Sequence, residues 1–130
     1  MVSIAPRSDT TWVTDDPSWL GSAHGTDSTE TVTLSTALFT AETHYPDGYL
    51  PSGLPLGVVT ATGYYGPYDD TAIDGRATLV GFLVGPREVV SATQLIAAGL
   101  LTHGKVREAN LPIEVDANGK SDVAGRIRFI

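Results

Sequence analysis

The stretch that decides the fold spans residues 51–86 and reads PSGLPLGVVTATGYYGPYDDTAIDGRATLVGFLVGP. It contains two short apolar runs, at residues 56–62 and 79–84, and glycine or proline lies close to each. Short runs of this kind, rich in β-branched residues, are typical of buried strands rather than helices. The loop between them is rich in turn-forming residues, and its Asp74-Gly75 pair predicts a tight turn before the second strand. We therefore predict a strand–loop–strand unit at the centre of the chain.

The chain before this unit is predicted to begin with an N-terminal arm, residues 1–34, that precedes a domain of residues 35–130. Ser, Thr, Asp and Gly dominate the start of the arm, and this composition buries too little apolar surface to offset the entropy of ordering. Trp12 and Trp19 either dock on a partner or pack back on their own domain, since tryptophan often anchors interfaces. Residues 29–34 alternate like a strand, which either joins a partner's sheet edge or forms the first strand of its own sheet.

The chain after this unit is predicted to continue as strands. Residues 93–110 favour a β-hairpin that turns at His103-Gly104, with a helix over residues 89–101 as the competing interpretation. Residues 126–130 alternate and predict a terminal strand. Short helical turns are predicted at residues 35–43 and 121–124, and a turn at residues 117–120. The predicted fold is mainly β (α+β), a small glycine-rich β-domain with short helices and an extended N-terminal arm.

Charge and composition limit the classes of partner. The 130 residues carry a formal net charge of -7, and duplex nucleic acid is bound mainly through Lys and Arg, so no nucleic-acid partner is expected. Residues 1–74 hold ten acidic and one basic residue, whereas residues 75–130 hold five acidic and seven basic residues. This asymmetry indicates either a solvated acidic surface or a charged docking face. The longest apolar stretch, residues 95–101, is much shorter than the roughly 20 residues that span a bilayer, so no membrane partner is expected.

The motifs of catalytic, cofactor and metal sites are missing from the sequence. Cysteine is absent, which excludes disulfides and thiolate chemistry. The histidines do not have zinc-ligand spacing, and they stand alone at His24, His44 and His103. Neither a nucleophile elbow nor a phosphate-binding glycine loop is present, although a Ser-His-Asp arrangement assembled in space stays open. We predict a protein that is not an enzyme and holds no cofactor or metal ion.

Two side-chain clusters in the central loop have more than one interpretation. Asp69 and Asp70, with Asp74 nearby, lack the residue order of a calcium-binding loop, which favours solvated loop acids. The aromatic cluster is a sugar-binding platform, a subunit contact or ordinary loop packing. Its members are Tyr64, Tyr65 and Tyr68.

Several short motifs follow one another in a characteristic order. They are LPLGVVT at residues 54–60, PYDD at 67–70, Asp-Gly at 74–75 before LVGFLV at 79–84, HGKVR at 103–107, Leu-Pro at 111–112, and VAG at 123–125 before the terminal strand. This order resembles the capsid decoration (head-stabilising) proteins of tailed bacteriophages, the family of the lambda head decoration protein. The resemblance covers residues 49–130, and its most specific pieces are the Asp-Gly to LVGFLV stretch and the Gly-x-Val-Arg turn.

The resemblance implies a small mixed β-fold that binds the outside of a phage head as a homotrimer and stabilises the shell. It places the protein on the outer surface of the virion, with an N-terminal arm that reaches the major capsid protein. In this chain the predicted capsid-binding residues of the arm are Trp12, Trp19, Val32 and Leu34. The alternative function is a carbohydrate-binding or adhesive module that uses the tyrosines of the central loop.

Overall fold

Five strands close into a barrel in the computed structural model, which describes residues 15–130. The strands of this part of the chain are β1 (Glu30–Ser35), β2 (Tyr49–Leu50), β3 (Pro55–Val58), β4 (Tyr65–Pro67), β5 (Gly81–Val84), β6 (Arg87–Glu88), β7 (Leu95–Leu101), β8 (Gly104–Val106) and β9 (Ile127–Phe129). The helices are α1 (Ala41–His44), α2 (Ala117–Asp122) and two single 3₁₀ turns, Thr36–Leu38 and Glu108–Asn110. The predicted mainly β fold with short helices is therefore confirmed.

The barrel follows the order β1, β4, β3, β5, β7 and then returns to β1. Its longest ladder joins β1 to β7 in antiparallel register, from Glu30 opposite Leu100 to Ser35 opposite Leu95. Only the β1–β4 contact of the barrel is parallel. Two smaller sheets lie outside the barrel, an antiparallel β2–β6 pair and a parallel β8–β9 pair.

The core has two clusters of buried side chains, and β5 and β7 separate them. Leu83 of β5 and Leu100 of β7 belong to the first cluster, with Val32 and Leu34 of β1. Phe82 of β5 and Leu101 of β7 belong to the second cluster, with Trp19, Val106 and Ile127. Successive side chains of a strand point to opposite faces, so both faces of β5 are covered. This explains why the run at residues 79–84 is continuously apolar instead of alternating.

The predicted hairpin at His103-Gly104 is wrong, because β8 does not pair with β7. The chain turns as expected, and Gly104 has a φ of +140° that favours glycine. However, β7 is already paired on one edge with β1 and on the other with β5. No edge of β7 is free for a third strand, so β8 instead pairs in parallel with β9.

The helical predictions are confirmed in part. Residues 35–43 hold a 3₁₀ turn and most of α1. The predicted turn at residues 117–120 is wrong, since these residues form the first part of α2. The carboxylate of Asp116 caps this helix by accepting a 2.8 Å hydrogen bond from the backbone N–H of Gly119. This N-cap outweighs the turn tendency of the Asn-Gly pair that follows it. None of the helices within residues 15–130 has the length and apolarity to cross a membrane.

The predicted arm is wrong for residues 19–34. Strand β1 is paired on both edges inside the barrel, and Val32 and Leu34 are buried in its core rather than available to a capsid. Trp19 is also fully buried. A domain boundary at residue 34 would cut through β1, whose alternating pattern fits an ordinary first strand of its own sheet. Trp12 lies outside the described residues.

Candidate interaction surface

The segment around Trp19 is fixed to one edge of the β8–β9 sheet. Leu20 forms an antiparallel bridge with Val106, and the backbone N–H of Gly21 donates to the carbonyl of Lys105 at 2.9 Å. The N–H of Arg107 in turn donates to the carbonyl of Trp19 at 2.7 Å. The sheet therefore has three adjacent backbones, in the order residues 19–21, β8 and β9, and the N-terminal end of the described chain lies beside β8.

Trp19 itself belongs to the core. Its ring centroid lies 5.9 Å from that of Phe82, and its indole Nε1–H donates to Ser52 Oγ at 2.9 Å. Ser52 Oγ also accepts the N–H of Gly85 at 3.0 Å, which joins the indole to the end of β5. Gly53, with a φ of +96°, lies against the ring, and a Cβ there would approach Trp19 Cδ1 to 2.9 Å. A tryptophan with these partners is not available to a capsid, so the sequence prediction for Trp19 is corrected.

A basic groove is lined by residues of β8, β9, α2 and the turn that joins α2 to β9. It is open to solvent and has a volume of about 560 Å³. Its lining residues are His24, Gly104, Lys105, Lys120, Ala124, Gly125, Arg126, Ile127, Arg128 and Phe129. Four of these are lysine or arginine and none is acidic, whereas the whole chain has eight such basic residues and a charge of -7. The groove therefore concentrates positive charge on an acidic protein.

The register of the small sheet creates this concentration. Lys105 and Arg128 are directly opposite each other in the ladder, and both are exposed because Val106 and Ile127 on the other face are buried. Like charges opposite each other in a ladder repel and cost stability. Within residues 15–130, neither Lys105 nor Arg128 forms an ion pair with a carboxylate. This pair is thus placed to receive negative charge from a partner.

The other two cations of the groove are held in place by the domain. The guanidinium of Arg126 donates to the carbonyl oxygens of Thr102 at 2.7 Å and Val80 at 3.2 Å. Lys120 forms an ion pair with Glu108, and its ammonium lies 5.8 Å from the centre of the Phe129 ring. Carbonyl groups are neutral acceptors, and within residues 15–130 Arg126 forms no ion pair with a carboxylate. Lys120 adds less to the field because Glu108 offsets its charge.

A histidine pair lies beside the groove, and His24 is one of the residues that line it. His24 Nε2 lies 3.1 Å from His103 Nδ1, and Ser28 Oγ lies 3.2 Å from the other ring nitrogen of His103. One imidazole donates and the other accepts in such a contact. The pair ties residues 24–28 to the turn between β7 and β8. No local pattern in the sequence predicts this contact, because the two histidines are 79 residues apart.

The tyrosines of the central loop do not form one platform. Tyr64 is exposed, Tyr65 packs against the first core cluster, and Tyr68 packs against the second. The phenol of Tyr68 donates to Asp116 at 2.7 Å, so its polar end is already bound within the domain. The pKa of Tyr68 is raised well above its usual range, by burial first and then by the hydrogen bond to Asp116. Of the three, Tyr64 presents the most surface to a ligand or a neighbouring subunit.

Asp116 is expected to make the stability of the protein sensitive to acid. The Tyr68 hydrogen bond and then the N–H of Gly119 hold the pKa of Asp116 below its ordinary value of 3.8. The stabilisation is therefore complete above that value and is lost as the pH falls through the lower folded-state pKa. We expect the melting temperature of the wild type to fall more steeply than that of Asp116→Asn between about pH 5 and pH 2. Asparagine keeps an N-cap group but cannot titrate.

The matched control is Asp47→Asn, which removes an exposed carboxylate in the turn after α1. The melting temperature of this variant is expected to fall with pH as steeply as that of the wild type over the same acidic range. If the melting temperature of Asp116→Asn falls with pH as steeply as that of the wild type, the ionised Asp116 does not contribute to stability through its contact with Tyr68.

We also searched the described residues for a metal site. Within residues 15–130, no three side chains from His, Cys, Asp and Glu are grouped so that they could hold a metal ion. Comparison of the sequence with models of known protein families gives no match, and comparison with curated proteins gives none either. Function is therefore inferred from the sequence pattern and from the surfaces described above.

The groove is the feature that sequence reasoning missed. The sequence shows that basic residues outnumber acidic ones after residue 75, but it does not show where they lie on the surface. Lys105 belongs to β8, Lys120 belongs to α2, and Arg126 lies in the turn just before β9. Only the parallel pairing of β8 with β9 places them around one groove.

Proposed function

We propose that the protein is a capsid decoration protein that binds the outer surface of a phage head as a homotrimer and stabilises the shell. The observation that carries the proposal is the attachment of residues 19–21 to the edge of β8. It gives the preceding residues a fixed starting point on the domain. Residues 1–14 then act as the contact to the major capsid protein, with Trp12 as the aromatic anchor.

The homotrimer is supported by apolar side chains that the domain leaves uncovered. Ile73 is fully exposed, and Val90 has 77% of its surface accessible. Leu95 and Ile130 are each more than half exposed. Cyclic symmetry is the usual way in which identical subunits cover such surface.

The proposal assigns the protein a structural role without catalysis, a cofactor, nucleic acid or a membrane. The carbohydrate-binding alternative receives no support from the aromatic side chains, because Tyr65 and Tyr68 pack on different core clusters. A sugar platform of the kind expected from the sequence needs these rings on one surface.

Electron microscopy of phage shells with and without the added protein tests the proposal. We expect extra density on the outside of the shell at three-fold and quasi-three-fold positions, with three copies around each axis. Decorated shells should also withstand higher temperature than bare shells. Bare shells incubated in buffer alone are the control. Scattered single copies would refute the trimer, and the absence of density at saturating protein would refute the decoration function.

A further inference from the structure

We infer that the basic groove is a second capsid contact and binds a carboxylate-rich segment of the major capsid protein. The identity of the partner rests on the proposed function, whereas the chemistry of the groove rests on its own side chains. Strand β8 takes part in both features, since Lys105 lines the groove while its backbone carbonyl accepts the N–H of Gly21.

Charge selects an anionic partner. Lys105 and Arg128 lie side by side without carboxylate partners among residues 15–130, and Arg126 lies next in the chain to β9. Carboxylates form short, charge-assisted hydrogen bonds with such groups, and an arginine can bind one through two parallel bonds. An incoming carboxylate would also relieve the repulsion between Lys105 and Arg128.

The shape and lining of the groove favour a peptide over a polyphosphate. Phe129 is partly buried, and its ring contributes apolar surface beside Lys120, which suits the apolar parts of a polypeptide. The rest of the molecule is strongly acidic, since the chain has a charge of -7 even with the groove included. A nucleic acid carries charge along its whole length and would be repelled wherever it extended beyond the groove. A short acidic segment of a protein avoids this repulsion.

The first test measures binding of fluorescein-labelled hexaglutamate by fluorescence anisotropy at low salt. Lys105→Gln and Arg128→Gln are each expected to weaken binding about two- to fivefold, and the double variant about tenfold or more. Arg87→Gln is the matched control, because it removes the same charge from β6, away from the groove. It should bind like the wild type. Both groove residues are exposed and repel each other, so the variants should melt no lower than the wild type.

Labelled hexaglutamine with the wild-type protein is a control that does not depend on any variant folding. It is expected not to bind, because it lacks charge. Equal binding of hexaglutamate to the wild type and all variants would overturn the inference, as would equal binding of hexaglutamine. Tighter, groove-dependent binding of single-stranded hexathymidylate would overturn the assignment to a protein segment. Groove-dependent self-association in sedimentation velocity without hexaglutamate binding would assign the groove to a second copy instead.

The second test is co-sedimentation of the same variants with undecorated shells. The groove variants should bind more weakly than Arg87→Gln, and their binding should depend less on salt. If the wild type binds shells and the groove variants bind equally well, the inference fails while the proposed function stands. If the wild type binds hexaglutamate but no shells, the proposed function and the capsid partner both fail.

Discussion

Replacing Trp19 with alanine is expected to lower the free energy of unfolding by about 3–5 kcal/mol. The side chain is fully buried against Phe82, so the substitution leaves a cavity at the centre of the second core cluster. It also removes the indole donor from Ser52. Domains of this size are stable by about 5–15 kcal/mol, so the loss is a large fraction of the total. Urea unfolding followed by circular dichroism measures it.

Two further variants separate the ring from its hydrogen bond. Trp19→Phe keeps an aromatic ring in the core but loses the indole N–H, and Ser52→Ala leaves two buried donors, Trp19 Nε1–H and the N–H of Gly85, without their acceptor. Each is expected to cost about 1–3 kcal/mol, less than the alanine substitution. A cost below about 1 kcal/mol for Trp19→Ala would show that residues around Trp19 do not belong to the core.

The strands were predictable where burial leaves a local signature. One face of β1 meets the core, so Val32 and Leu34 alternate with polar residues and the strand can be recognised from six residues. Strand β5 shows the opposite signature, because Phe82 and Leu83 are buried on opposite faces. The flanking glycines and prolines limit this apolar run to a few residues, and so short a run favours a strand over a helix.

Pairing was less predictable because it depends on which edges remain free. The sequence around His103-Gly104 fits a hairpin, but both edges of β7 are occupied by β1 and β5. Nothing local to the turn reveals this. The basic groove was hidden for the same reason, since it exists only once β8 lies beside β9.

The arm boundary failed for a different physical reason. Composition averages over many residues, and the stretch before β1 is polar on average. A single buried tryptophan and a few backbone hydrogen bonds to β8 are nevertheless enough to hold residues 19–21 on the domain. Polar composition therefore describes the surface of this segment correctly but does not show where its anchor lies.

Two nested deletions are expected to separate binding from folding. Deletion of residues 2–14 should leave the domain folded, because the described barrel and both core clusters lie within residues 15–130. It should weaken binding to shells by at least about thirtyfold, the effect of losing one interface anchor worth roughly 2 kcal/mol. Trp12→Ala is the matched point variant and should account for most of this loss.

Deletion of residues 2–28 should instead unfold the domain. It removes Trp19 from the second cluster, the Leu20 bridge to Val106 and the Gly21 hydrogen bond to β8. Their combined loss is comparable with the whole stability of a small domain, about 5–15 kcal/mol. Thermal melts by circular dichroism and co-sedimentation with undecorated shells measure both deletions on the same samples.

A cooperative melt close to that of the full-length chain after deletion of residues 2–28 would show that the domain begins near residue 34. Unchanged shell binding after deletion of residues 2–14 would move the main capsid contact from the N-terminal residues to the groove, because Lys105 and Arg128 remain in that variant.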